Sequence, residues 1–453
     1  MLLNLAVIYI RNVLMISQKQ RISLHFITTF LSISSLKYMM QQAIYKPFKQ
    51  IYKPFKQIIV IGDIEMGAGN LTDDFIADKA LSTFIRSLVA KKYPVDLILN
   101  GDTFDFLKCP YHDPRENKLV YPRHITAAVS LGKLQLIYEA HKRVFSALSS
   151  FVSSQNHHLY FIIGNHDHDL FFPEVKETLK RLLDSKKGHD NIHFPGISYH
   201  HNNVWVEHGQ QYDFLCQVNF RSLFVNYKGE DLLNFPWMAF GLISQFMDMK
   251  EEHPFLERIF PRQLMFSLHR MVLRKVSLRS FGYFLKSLLY FPFRYYSDPT
   301  YSFPSWLFGE FYRRLVHHHW DIDEIMDVFK TKKAFQTKAK IFVLGHIHKK
   351  HIDERKEQVI IHPGSWRDEY ILNANKRTLV PKKKYYVEIT VNNYKELSAH
   401  KSEEIFYEVK EYPIERSIFL FDEVRKNELA YIHLAAKEEG FTLRFEKPDA
   451  KKN

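Results

Sequence analysis

The sequence predicts an α/β sandwich interrupted by a largely helical insertion. Three observations lead there: short apolar runs ending in glycine and polar residues, helical patterns between the early runs, and a long stretch where this alternation stops. The runs are IIVIGD (58–63), DLILNGD (96–102), LYFIIGNHD (159–167), VWVEHG (204–209) and KIFVLGHIH (340–348). Runs this short, continuously apolar and rich in β-branched residues, read as strands buried on both faces. Helical patterns at 78–92 and 131–151 lie between the early ones. VIIHPGS (359–365) and KYYVEITVN (384–392) follow with fewer helices between them, so the second sheet is expected to be more antiparallel. From 212 to 335 the chain is Phe-, Leu- and Arg-rich, reads mostly helical and is punctuated by prolines at 236, 254, 261, 292, 299 and 304. It reads as a cap inserted between two core strands.

The resulting division is a lead-in at 1–57, a core at 58–211 and 336–415, the insert at 212–335 and a C-terminal extension at 416–453. With 453 residues, 46% apolar and 25% charged, the composition is that of a folded chain and excludes a disordered one. A net charge of +13 favours anionic partners: phosphate esters, acidic membrane surfaces or nucleic acid. Rossmann, helix-turn-helix, zinc-finger and RRM signatures are lacking, so no specific nucleic-acid module is expected. Two cysteines, Cys109 and Cys216, give no disulfide framework, which points to a reducing, cytoplasmic setting.

The lead-in carries Arg11, Lys19 and Arg21 and then an uncharged run, residues 22–36, shorter than the roughly 20 residues a spanning helix needs. It reads as a poor leader, as sequence upstream of a start at Met39 or Met40, or as an interfacial anchor. The heptapeptide IYKPFKQ occurs twice, at 44–50 and 51–57, and reads as a local duplication.

Every polar cluster of interest falls at the end of a predicted strand. These are Asp63 and Glu65 (GDIE), Asp102 and Asp105 (GDTFD), Asn165, His166 and Asp167 (GNHD), His208 (EHG), and His346 and His348 (GHIH). Strand ends are where open α/β sheets place ligands. Two divalent ions roughly 3.5–4 Å apart need a bridging carboxylate together with oxygen and imidazole donors, and this set contains them. A lone GD is usually a turn, and a lone GHxH is more often structural than metal-binding. Their joint occurrence, in order and each at a strand end, is what points to a metal site.

The series D-x-[H/E], GDxxD, GNH[D/E], H and GHxH resembles the calcineurin-like metallophosphoesterases over about 58–210 and 340–392. The resemblance implies a four-layer α/β/β/α sandwich and hydrolysis of a phosphate ester or pyrophosphate by a metal-activated water. It also implies two divalent ions, Mn²⁺ first, with Mg²⁺, Fe²⁺ or Zn²⁺ as alternatives. Asp102 would bridge them, Asp63, Glu65 and His348 would hold the first, and Asn165, His208 and His346 the second. His166 would stand beside the phosphorus with Asp167 orienting it, and Asp105 would brace its loop. Glu65 departs from the family, which usually has His there. A carboxylate makes the position harder and cancels one positive charge at the pair of ions.

GDTFD and HGQQYD (208–213), followed by a helical insert, also resemble the bacterial UDP-2,3-diacylglucosamine pyrophosphatases, which implies a lipid- or nucleotide-linked substrate. Those enzymes are much shorter and commonly carry Arg where this chain has His166. Residues 258–294 hold eight basic residues, no Asp or Glu, and eight Phe or Tyr. Met265, Leu268, Val272 and Val276 share one face of a helical projection, with Arg270 and Arg274 opposite. The functional reading is a basic amphipathic helix meeting an anionic membrane, or the substrate, through Arg270, Arg274, Lys275 and Arg279. A plain core helix with a solvated basic face is the competing one. Two further functions compete with an enzyme peripheral to the membrane: a catalytically silent membrane-associated binding protein, and a metal-dependent nuclease.

Overall fold

The computed structural model describes residues 56–154, 156–184, 190–304, 306–317, 339–393 and 403–444. The candidate leader and nearly all of the heptapeptide repeat lie outside them.

Two sheets face each other. The first contains β1 (Lys56–Ile61), β2 (Val95–Asn100), β3 (His157–Ile162) and β4 (Ile192–Gly196), all parallel. The second contains β5 (Ser198–His201), β6 (Val204–Glu207), β7 (Ile341–Leu344), β8 (Lys350–Glu354) and β9 (Val359–Pro363), in the order β8-β9-β7-β6-β5. Its inner strands β6, β7 and β9 are parallel, and only its edges β5 and β8 run antiparallel. The expected antiparallel character is thus confined to the edges. KYYVEITVN, expected near that sheet, forms β10 (Lys384–Asn393) and instead pairs antiparallel with β1, followed by β11 (Glu403–Tyr412).

Side chains alternate across a strand, so one strand feeds two cores. Ile58, Val60, Ile98 and Ile162 point between the sheets, where Val206, Val343 and Ile361 meet them. Ile59, Ile61, Leu97, Leu99, Leu159 and Phe161 point the other way, into a core with Leu81, Phe84, Leu134, Phe145, Phe151 and Val175. Those residues belong to helices α1 (Asp78–Val89), α2 (Ala127–Ala140), α3 (Lys142–Val152) and α4 (Pro173–Leu183). Burying each such side chain stabilises the fold by about 1.5–3 kcal/mol. Three layers, helix, sheet and sheet, are therefore described. The outer face of the second sheet is buried too, at Phe342, Leu344 and Ile360, with Trp205 and Tyr212 beside them.

The helix expected at 131–151 is broken at His141, which is fully buried between Asp78 (2.9 Å) and Asp73 (3.0 Å). Burial opposes a charge there, but the two carboxylates outweigh it and push the imidazole up to about 10.

The insert contains α5 (Trp237–Gln245), α6 (Met247–Glu252), α7 (Arg262–Leu268) and α8 (Arg270–Leu289). The basic helix is therefore not continuous, because the chain leaves helical geometry at His269. The expected apolar face does form, but it turns inward. Met265 and Val272 are buried, with Leu268 and Val276 packed beside them, against Phe419, Phe421, Ile432 and Ala435 of the C-terminal extension. Ile259–Phe260 of the insert also pairs with Tyr370–Asn373 of the core. Insert and extension thus share one core and one small sheet with residues 370–381 of the core. The outward stripe of α8 is a different set: Met271, Leu278, Phe281, Leu285 and Leu289, all exposed. No helix among the described residues is long and apolar enough to cross a membrane.

Candidate metal centre

The predicted ligands converge because each follows a strand whose register is fixed by burial on both faces. β1, β2 and β3 lie side by side, and so do β6 and β7. Their carboxyl ends bring the GDIE, GDTFD, GNHD, EHG and GHIH turns together. Asp102 sits in the middle. Its carbonyl accepts from the backbone of Ile64 (3.0 Å) and Glu65 (2.7 Å), and its Oδ1 from His166 N (2.8 Å). The GDIE and GHIH turns are joined by His346 N donating to Asp63 Oδ1 (3.0 Å).

The backbone at these turns is unusual. Nine non-glycine residues with positive φ occur among the described residues, and five are predicted ligands: Asp63, Glu65, Asp102, His346 and His348. Side-chain-bearing residues take up this region at a cost, and the surrounding structure must hold them there. Close approach adds a second constraint. A Cβ at Gly101 would fall 2.5 Å from the His208 ring, and one at Gly164 would collide with Asp102.

Around His208 the donors fit a cation. Its Nδ1 donates to Asn100 O (2.9 Å), which turns Nε2 toward Asp102 Oδ2 (3.1 Å) and Asn165 Oδ1 (3.3 Å). Ligand atoms of Asp102, His208 and His346 all lie within 4.8 Å of one another. Anchoring one ring nitrogen so that the other faces the centre is the arrangement of metal-ligating histidines. His348 is held the same way, its Nδ1 2.7 Å from Glu369 and its Nε2 3.3 Å from Asp63 Oδ1. Asp63 Oδ2 is buried and has no hydrogen-bond partner, which leaves an acceptor aimed at nothing in the protein.

Around Glu65 the picture differs. Glu65 is fully buried, with Lys108 Nζ at 2.7 Å on one oxygen and Arg367 at 3.0 Å on the other, itself 3.5 Å from His348 Nε2. Burial disfavours its charge, but Arg367, Lys108, His166 and His348 overcome this and hold the carboxyl down to about 2. Lys108 and Arg367 each also lie 2.7 Å from Asp74. Neither was singled out from the sequence. Lys108 follows GDTFD by three residues, and Arg367 closes the loop after β9, in stretches without a metal-binding pattern.

Two expected roles change hands. Asp167 does not orient His166; its carboxylate accepts from the backbone of Gly164 and Thr103 and so braces the GNHD turn. Asp105, expected to brace, lies 2.8 Å from His166 Nδ1. Burial lowers the affinity of His166 for a proton, yet Glu65, Asp105 and Asp102 outweigh it and raise the ring to about 9. Asp213 was also passed over, although it ends the HGQQYD segment. It lies 3.1 Å from His346 Nε2, and with Cys216 and His346 it forms a second close donor group.

The four basic residues of the insert are far from alike. Lys275 pairs with Glu252 (2.6 Å) and Arg279 with Asp248 (2.5 Å), both on α6. Arg270 and Arg274 make no ion pair among the described residues.

No family model matches the chain, and neither does any curated protein. Among solved structures, a candidate 5′-nucleotidase from Staphylococcus aureus, in complex with alpha-ketoglutarate, aligns at 10% identity and a TM-score of 0.30. The alignment covers 85% of this chain and 58% of that one, a likeness too low to carry an argument.

Proposed function

We propose that the chain is a metal-dependent phosphoesterase whose centre is built by Asp63, Asp102, Asn165, His208, His346 and His348. The observation that carries this is the convergence of five strand-end turns, in three of which donor residues (Asp63, Glu65, Asp102, His346 and His348) occupy left-handed backbone. Strain of that kind persists at functional sites.

Divalent ions bound there would offset charge on phosphoryl oxygens and lower the pKa of a water. The remaining roles fall to the chain's own groups. His166 is fixed through Nδ1 by Asp105, which leaves Nε2 to donate a proton to a leaving oxygen. The Asp105 carboxylate beside Nδ1 favours the protonated ring. Asp167 holds the turn that aims His166.

A groove in the insert mixes aromatic residues (Phe214, Phe235, Trp237) with polar ones (Gln217, Asn219, Asn234). A mixed lining of this kind suits a substrate with a polar and partly aromatic group beyond its phosphate, such as a nucleotide-linked pyrophosphate. A hydrolysis panel tests this: p-nitrophenyl phosphate, its bis ester, a nucleotide pyrophosphate and a lipid-linked UDP-sugar, each with and without Mn²⁺. Metal-dependent turnover of at least one is expected. The absence of any turnover in Mn²⁺-loaded protein would leave the silent-binding reading in its place.

A peripheral membrane contact would use Arg270 and Arg274, as expected from the sequence, but not Lys275 and Arg279, which pair with Glu252 and Asp248. The exposed stripe from Met271 to Leu289 continues into Phe293 and Tyr296, which are 77% and 92% exposed, and Arg270, Arg274 and Lys286 flank it. Each basic residue near an anionic bilayer contributes about 1 kcal/mol. Changing Arg270, Arg274 and Lys286 to Gln is therefore expected to weaken binding to phosphatidylserine vesicles about 100-fold, while turnover of p-nitrophenyl phosphate stays unchanged. Equal loss of both would make α8 a structural cap.

A further inference from the structure

The buried charges behind Glu65 form a connected network. Asp74 takes Lys108, Lys250 and Arg367, each at 2.7 Å, on a single carboxylate. Lys108 also lies 2.9 Å from Asp105, and Lys250 also pairs with Glu257. Arg258 stands 3.5 Å from Asp74 and 2.5 Å from Asp368. On the side of the metal centre Lys108 is shared between Glu65 (2.7 Å) and Asp105 (2.9 Å), and Arg367 meets Glu65 (3.0 Å). Both oxygens of Glu65 are engaged.

A buried cation that loses its carboxylate is left uncompensated, and charges brought together in a low dielectric repel strongly. An ion drawing on Glu65 must share that carboxylate with two fixed cations and sit close to both. On the far side of Asp102 no lysine or arginine competes for Asn165, His208 or His346 among the described residues.

We propose that the two ion positions are unequal. One divalent ion is held tightly by Asp102, Asn165, His208 and His346. At the Asp63–His348 position, where Lys108 and Arg367 already occupy Glu65, an ion is held weakly and exchanges. Lys108 and Arg367 are thus positioning residues that set the affinity of that second binding step. This rests on the phosphoesterase reading, and the experiment separates the two.

The full chain, stripped with chelator and desalted, is titrated with Mn²⁺ alone by calorimetry, with metal content after gel filtration and the EPR spectrum followed in parallel. The expected result is one ion retained per chain, with a six-line mononuclear spectrum, and a second step ~100-fold weaker. Lys108→Met and Arg367→Met, checked for folding by circular dichroism, are each expected to tighten the second step about tenfold. Two ions retained equally, or a spin-coupled pair from the first equivalent of Mn²⁺, would overturn the inference. So would folded variants whose second step is unchanged. If either variant fails to fold, the wild-type titration decides alone. Should no ion bind at all, the metal-centre reading itself is lost.

Discussion

The His208 side and the Glu65 side of the same centre are built from opposite materials. On one, His208 is aimed by the Asn100 carbonyl so that its Nε2 lies 3.1 Å from Asp102 and 3.3 Å from the Asn165 amide oxygen. On the other, a carboxylate is gripped by a lysine and an arginine that no solvent reaches. The difference teaches that the same strand-end geometry can present a donor either to an incoming ion or to a cation the protein supplies itself.

The sharpest way to break the comparison is Asp102→Ala. If Asp102 serves both sides, as proposed, metal retention and all turnover are expected to be lost, read by metal analysis and by hydrolysis. A variant that keeps one ion would mean that Asp102 serves only one side. His166→Ala is next: turnover is expected to fall roughly 10²–10⁴-fold with metal content unchanged. Asp105→Asn should reproduce part of that loss and move the alkaline limb of the pH–rate profile to lower pH, whereas an equal effect of Asp167→Asn alone would restore Asp167 as the orienting residue.

Glu65→His probes the other side. From the sequence this change is expected to rebuild a conventional ligand and shift metal preference toward ions favouring nitrogen donors. With Lys108 and Arg367 against Glu65, the expected result is instead a destabilised protein, by roughly 1–3 kcal/mol, since the change removes one of the carboxylates that compensate these buried cations while Asp74 and Asp105 remain. Adding Lys108→Met should recover part of that loss in denaturant melts. A stable single variant would show that the cations find other partners.

The smallest effect is the pH dependence of His141, whose partner Asp73 also accepts from the backbone of Gly67, Gly69 and Phe75 in the loop beyond Glu65. Its pKa is raised in the folded protein from 6.5 to about 10. The resulting stabilisation is complete below pH 6.5 and is lost as pH climbs toward 10, amounting to a few kcal/mol. Melts between pH 6 and 10 should show this decline, and His141→Gln should remove it.

Much of this was legible in the chain. The strands and the donors after them could be read because burial on both faces writes a continuous apolar run, and the run's end marks the turn. Lys108 and Arg367 could not be read: their partner is 43 residues away for one and 302 for the other, and nothing local distinguishes a buried cation from a solvated one. The α8 stripe failed for another reason. A helix with apolar residues on two sides offers two faces, and periodicity does not say which the rest of the chain will cover. The exchange between Asp105 and Asp167 turns on side-chain direction within two adjacent turns, which residue type alone leaves open.

The network behind Glu65 also bears on how separable this molecule is. Lys250, Glu257 and Arg258 come from the insert, yet Lys250 and Arg258 pair with the core acids Asp74 and Asp368, while Glu257 pairs with Lys250 and stands 3.8 Å from the core's Lys108. A chain trimmed of 212–335 would not be a minimal enzyme. Asp74 would keep Lys108 and Arg367 but lose two of its counter-charges, and Asp368 would keep only Arg416. Insert and core are parts of a single electrostatic unit, and an attempt to exchange the insert for another would have to carry those three residues across with it.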